Sequence, residues 1–292
     1  LVPASNASRF EHAAHSVINA KRSEHTRKAY RADLERWLEF CRSLGLDPIA
    51  PTLDDATEFR DHLFAKLSKP SARRGLASMS AVYRVLFGSR FVSGNPFDPR
   101  VLAWPVEAAI NKTARVGANV AEAMILVAEK DPHGARDAAI LRVLYDTGLR
   151  RESVARLRRE DYLDGSIRAI VKGGKEVEIR LPAVTVAAID HWLRIAPDSP
   201  YLFPGSSIDK ALSPIAINKL VKKRAEAIGA DDVHPHCFRA EFITASYDAG
   251  LPEYEIQHSV HHSDPKTTRR YDRQARGLDV ATKLAEFRKG SK

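Results

Sequence analysis

The chain has 292 residues, enough for two domains with a sizeable core in at least one of them. Lysine and arginine number 46 against 37 acidic residues, and the resulting charge of +9 favours a polyanionic partner. Cys41 and Cys237 are its two cysteines, which excludes a disulfide framework and a CxxC metal pattern. No apolar run approaches the roughly 18 residues of a bilayer span and the start, LVPASNASRFEHAAH, has no signal-peptide core, so the expectation is a cytoplasmic protein without membrane contact.

After this polar start, SEHTRKAYRADLERWLEFCRSLGL predicts an amphipathic helix. Tyr30, Leu34, Trp37, Leu38, Cys41 and Leu44 share one face, Ser23 caps it and Gly45 ends it. A second helix is expected from Asp54 to Leu67, with Leu53 as a staple residue and Phe59, Leu63 and Leu67 inward. SARRGLASMSAVYRVLFGS gives a third, with Leu76, Met79, Val82, Tyr83 and Leu86 as its stripe. The pattern breaks in GNPFDPRVLAWPVEAAINKTARVG, which holds three prolines, and the domain boundary is placed there. The resulting division is a helical domain over residues 1–105, a linker over 106–117 and a second domain over 118–292.

The second domain opens with helices. GARDAAILRVLYDTGLR puts Ala139, Ile140, Val143 and Leu144 on one face, with Gly148 as C-terminal cap, before a turn at Leu149–Arg150 into ESVARLRRED. The period then changes: IRAIV and EVEIRLP alternate around Gly173–Gly174, a hairpin signal with Lys172 and Lys175 flanking the turn. Helices resume in VTVAAIDHWLRIA and in SPIAINKLVKKRAEAIG, where Ser213 caps, Pro214 fits the first position, and Ile217, Leu220, Val221 and Ile228 are the buried stripe. The fold class is therefore mainly α with a small β-hairpin in the second domain.

The stretch HPHCFRAEFITASYDAGLPEYEIQHSVHHSDPKTTRRYDR concentrates the chemistry. It holds His234, His236, His258, His261 and His262, five of the chain's eleven histidines, among arginines. A zinc site is a weak reading, because the one helical pair, His258 with His262, runs into a fresh helix start at Ser263–Asp264–Pro265. Phosphodiester chemistry uses more of these residues: guanidiniums hold non-bridging oxygens through paired donors, and in-line displacement needs a nucleophile, a base and an acid. Arg239, His236, His262 and Tyr271 supply those types here, and Arg150 and Lys172 complete them from the other half of the domain.

TGLR at Thr147–Arg150, the lysine of VKGGK, HCFR at His236–Arg239, HHS at His261–Ser263 and TTRRY ending at Tyr271 resemble, in order and spacing, the tyrosine recombinase (phage integrase) family. SEHTRKAYRADLERWLEFC is similar to that family's helical, SAM-like core-binding domain. The resemblance implies a catalytic second domain in which Tyr271 attacks a scissile phosphate to give a 3′-phosphotyrosyl link. Arg150 and Arg239 would clamp the non-bridging oxygens, Lys172 would protonate the departing 5′-oxygen, His236 would act as base or proton relay, and His262 would hydrogen-bond the phosphate and help place the tyrosine. Lys175 stays an alternative to Lys172 and His261 to His262; Arg150 could instead cap a helix, His236 could be a core histidine and Tyr271 a surface aromatic.

Three positions depart from the family pattern. Ser153, with Glu152 beside it, stands where an acidic residue is frequent, His261 where a glycine is usual, and Ala240 where a histidine is common. The implied activity is site-specific recombination of double-stranded DNA through a Holliday junction, without metal or nucleotide cofactor. A homotetramer would assemble on DNA, with LDVATKLAEFRKG packing on its own domain or docking on a neighbour. Type IB topoisomerase-like cleavage and a non-catalytic DNA-binding protein of the same fold are the alternatives. Arg27, Lys28, Arg31, Arg73 and Arg74 in the first domain, and Lys175, Lys219, Lys222, Lys223 and Arg224 in the second, are the candidate DNA contacts.

Overall fold

The computed structural model describes residues 5–105, 114–171, 174–260 and 268–269. The chain divides into two compact units, Leu1–Ala108 and Ala109–Lys292. Lys172, His261, His262, Tyr271 and the segment LDVATKLAEFRKG lie outside the described residues.

In the first unit the polar start forms a helix, α1 (Asn6–Asn19). Ser5 caps it by accepting from Ser8 N–H at 3.2 Å, and Phe10, Ala14 and Ile18 are buried one turn apart. They pack on α2 (Glu24–Leu44) and α4 (Lys69–Gly88), with α3 (Leu53–Lys66) also against α4. The expected caps of α2 are present: Ser23 accepts from Thr26 N–H at 3.4 Å, and Gly45 takes a left-handed φ of 68°. The start of α3 is closed by a reciprocal box in which Thr52 accepts from Asp55 N–H and the Asp55 carboxylate accepts from Thr52 N–H. Leu44 and Leu53, both read as packing residues, are 47% and 43% exposed, because each stands at a helix end beyond the reach of the core.

Trp37 is the centre of this unit. Its ring meets Phe59 and Phe97 edge-on, at centroid distances of 4.9 and 5.1 Å. Its N–H donates to the Tyr83 hydroxyl at 2.9 Å, which donates in turn to Pro48 O at 2.6 Å, so a buried indole and a buried phenol are both satisfied. Phe97 and Leu102, from the proline-broken stretch, complete the same core. Asp33 is also buried, 2% exposed, and accepts from Arg74 at 2.7 Å, Arg36 at 2.8 Å and Ser78 at 2.8 Å. Desolvation pushes its carboxyl up, and these donors oppose the shift.

The second unit is built around α6 (Ala135–Thr147), which packs on α5 (Ala118–Lys130), α8 (Ala183–Ile195) and α10 (Pro235–Asp248). Nine of its thirteen residues are buried, so it is a central helix and not an amphipathic surface one. After it come the five-residue α7 (Arg151–Ala155), a 3-10 turn at Arg159–Asp161, and an antiparallel sheet of order β1-β2-β3. Its strands are β1 (Tyr162–Leu163), β2 (Ser166–Ile170) and β3 (Glu176–Arg180), the last two forming the expected hairpin with Ser166 opposite Arg180 and Ile170 opposite Glu176. α9 (Pro214–Glu226) has its Ser213 cap, accepting from Ala216 N–H at 3.0 Å. α11 (Glu253–Val260) lies on α10 through Ile256 and Val260.

Arg224 corrects one expectation. It is 4% exposed and held by Asp137 at 2.6 and 2.9 Å and by Asp131 at 2.7 Å, so it ties α9 to α6 and does not face a DNA backbone. Losing one partner of a buried pair commonly costs about 3–5 kcal/mol, which is why this cation is structural.

Gly148 sets the direction in which the chain leaves α6. Its φ is +59°, and a Cβ there would stand 2.8 Å from the Phe242 ring. Gly148→Ala is expected to destabilise the protein by about 2–4 kcal/mol, the cost of a left-handed alanine plus crowding in a packed core. The midpoint of a denaturant titration measures it, and an unchanged midpoint would show that the turn is not constrained in this way.

Candidate active site

A cleft of about 310 Å³ opens where the turn after α6, the start of α10 and the flank of α9 converge. Arg150, Arg151, Glu152, Asn218, His236 and Arg239 are among its walls. Three of the six sequence-predicted catalytic residues, Arg150, His236 and Arg239, are thus brought together from segments almost 90 residues apart. Lys172, His262 and Tyr271 are outside the described residues, as is His261.

Arg150 occupies the N-cap position of α7, in extended backbone at φ −70° and ψ 143°. Its carbonyl accepts from Ser153 N–H at 2.8 Å and Val154 N–H at 3.1 Å, so the backbone starts the helix while the side chain lines the cleft. Among the described residues its guanidinium is joined by no hydrogen bond or ion pair, whereas the neighbouring Arg151 is paired with Glu152 at 2.9 Å. A cation held at a cleft wall with its donors uncommitted is suited to an anionic ligand.

His236 stands in the first turn of α10, after Pro235. Desolvation in the cleft, followed by the charges of Arg239, His234 and Arg150, holds its imidazole below the ordinary histidine range, with Glu152 pulling the other way. The residue as a whole is exposed, so the shift comes from its position in the cleft wall and not from enclosure in the core. At neutral pH the neutral ring, able to accept a proton, is therefore favoured.

Arg239 is 2% exposed. It donates to Gly148 O at 2.6 Å and to Val260 O, the last residue of α11. One planar fork thereby joins the turn that leads into Arg150 to the chain that leads into His261. Sequence reasoning saw Arg239 only as a phosphate clamp; this strut was hidden because its acceptors are backbone carbonyls, which carry no residue signature. Glu241, two residues on and 6% exposed, accepts from Gly117 N–H at 3.1 Å and lies 3.8 Å from Arg115, fastening α10 to the start of α5.

The candidate DNA contacts divide by what they already hold. Arg27 pairs with Glu24 and donates to Lys21 O at 2.8 Å, and Arg31 donates to Asn19 at 2.9 Å. Arg73 donates to Pro105 O, and Arg74 is spent on Asp33. Lys28, Lys175, Lys219 and Lys223 are exposed, and Lys222 lies 3.7 Å from Glu226 on the same helix face. Among the described residues no three His, Cys, Asp or Glu side chains are grouped to hold a metal ion, and no helix is long and apolar enough to cross a membrane.

The phage integrase family model matches residues 114–277, and a model for the phage integrase N-terminal SAM-like domain matches residues 14–88. The chain is 30% identical over 268 residues to a tyrosine recombinase XerC of Xanthomonas campestris pv. campestris, covering 88% of this chain and 81% of that one. It is 28% identical to a tyrosine recombinase XerC of Oceanobacillus iheyensis, covering 87% of each. Among solved structures, a XerH site-specific recombinase bound to difH substrate superposes with a TM-score of 0.72 at 16% identity, over 96% of this chain and 84% of that one. The Tn1549 transposon integrase with circular intermediate DNA gives 0.68 at 18% identity, over 94% and 98%.

Proposed function

The chain belongs to the phage integrase family, and on that footing we propose that its cleft is the phosphate-binding half of a centre that breaks and rejoins DNA. It is a tyrosine recombinase, a site-specific DNA recombinase acting on double-stranded DNA. The observation that carries the reading of the cleft is the meeting of Arg150, His236 and Arg239 around one opening.

The chemistry balances without an added reagent. The Tyr271 oxygen forms a bond to the scissile phosphorus, its proton passes to the neutral His236 ring, and the bond from phosphorus to the 5′-oxygen breaks. Lys172 gives that oxygen a proton. Arg150 and Arg239 bear the charge on the non-bridging oxygens, usually the largest contribution in such a displacement, and His262 adds a hydrogen bond. One phosphodiester is exchanged for one phosphotyrosyl ester, so religation to a 5′-hydroxyl of a second strand needs no cofactor. Repeating the exchange on the other strands passes through a Holliday junction. A tetramer on two sites, exchanging the C-terminal helix, supplies the four nucleophiles this needs.

In this scheme residues 1–105 are the core-binding domain, 106–117 the linker and 118–292 the catalytic domain, working in the cytoplasm. The exposed Lys28, Lys175, Lys219 and Lys223 are the better-placed phosphate contacts, while Arg27, Arg31, Arg73, Arg74 and Lys222 contribute where their present partners release them.

The test uses a target duplex selected from a random pool for binding and nicked beside the scissile phosphate, so that the short 5′-strand is lost and the adduct accumulates. A covalent protein–DNA band, insensitive to EDTA, is the expected result; its absence on a tightly bound site would overturn the reading. Relaxation of supercoiled plasmids lacking that site would point to topoisomerase-like cleavage instead.

A further inference from the structure

Val171 N–H donates to Lys175 O at 2.8 Å and Gly174 N–H to Val171 O at 3.0 Å, so Val171 faces β3 at the root of the hairpin. Backbone groups alternate sides along a strand, and the Ile170 carbonyl therefore points the other way. On that side β1 has already ended, since it pairs only with Ser166 and Ile167. A strand-end carbonyl without a neighbouring strand needs a donor from elsewhere.

Ser153 is that donor. Its hydroxyl reaches the Ile170 carbonyl at 2.8 Å, and the residue is 7% exposed. Its backbone N–H donates to the Arg150 carbonyl at 2.8 Å. A single residue of α7 thus holds both the turn that bears the cleft arginine and the last residue of the strand leading to Lys172. With only five residues α7 has little stability of its own, so its place is set by such tertiary contacts.

We propose that Ser153 is a positioning residue: by fixing the hairpin root to the arginine turn, it sets where the hairpin lysine meets the departing 5′-oxygen. The proposal rests on the reading of the cleft given above. It acts through proton donation alone, so its loss should be felt only where the leaving group needs a proton.

Single-turnover cleavage is compared on two nicked duplexes, one ordinary and one with sulfur in place of the scissile 5′-oxygen. A thiol has a pKa of about 8.5, so its departing thiolate needs no donor. On the ordinary duplex Ser153→Ala is expected to slow cleavage about tenfold, the size of one neutral hydrogen bond, and Ser153→Thr to restore most of it. On the sulfur duplex Ser153→Ala and Lys172→Ala should both run within about twofold of wild type, because the proton is no longer required. Equal slowing on both duplexes, or none on the ordinary one, would overturn the positioning role. Ser153→Cys, which keeps the shape with a weak donor, repeats the comparison if the alanine variant loses its fold. A wild-type protein that forms no adduct on either duplex would overturn the cleavage reading itself, and the Ser153 role with it.

Discussion

Phenylalanine in place of Tyr271 is expected to abolish the covalent adduct while leaving DNA affinity within about twofold, since affinity comes from cations along the backbone and not from the nucleophile. The substitution keeps the ring and removes one oxygen, the atom that forms the new bond to phosphorus. Removal of a nucleophile that acts with its base typically costs about a millionfold in turnover, and any residual rate comes from the remaining charge-stabilising contacts and binding. Adduct formation on the nicked duplex, read beside a gel-shift titration, separates the two effects. Tyr254, on α11, is 70% exposed, so an adduct that persists in Tyr271→Phe and maps to another tyrosine would reassign the nucleophile.

Arg239→Lys is the second large effect, and it is expected on two readouts at once. Cleavage should fall about 100- to 1,000-fold, as when a donor to a developing oxyanion is removed, because an ammonium cannot present two parallel N–H bonds. Stability should fall as well, by about 2–4 kcal/mol, since Gly148 O and Val260 O lose a donor that one lysine cannot share between them. Arg150→Lys is the control: a comparable loss of cleavage with an unfolding midpoint close to wild type, because among the described residues the Arg150 guanidinium makes no hydrogen bond or ion pair that the substitution would remove. Equal destabilisation by both variants would show that the strut through Arg239 is not what holds the two motif-bearing segments together.

Helices whose signals are local were legible in the sequence. α2, α4 and α9 carry a long apolar stripe, and α2 and α9 also a side-chain cap, so their faces could be named residue by residue. α1 was not, since Phe10, Ala14 and Ile18 form a stripe of three, one of them an alanine with little hydrophobic signal. The hairpin was found from two alternating runs around a glycine pair, but β1, two residues long, is too short to have a period.

The cleft was legible in part. Arg150, His236 and Arg239 could be picked by residue type and order because motif spacing survives in the linear chain, and the fold brings those three to one opening. Pairings across long separations were not readable. Arg224 looked like a surface cation, yet it is buried on Asp137, 87 residues away, and the exposed Arg74 is paired with Asp33, 41 residues away. The Ser153 bond to Ile170 was hidden for a related reason: a hydroxyl bound to a backbone oxygen writes nothing into the partner's residue type.

The two cysteines fall one in each unit, Cys41 in the first core and Cys237 in the second, 2% and 1% exposed. Burial pushes the Cys41 thiol up to about 12 and raises that of Cys237, so neither offers a reactive thiolate in the folded protein. The chain therefore carries a built-in pair of opening reporters. A thiol reagent that labels Cys41 records exposure of the first core, and one that labels Cys237 records loosening of the helix bearing His236 and Arg239, each without an introduced probe.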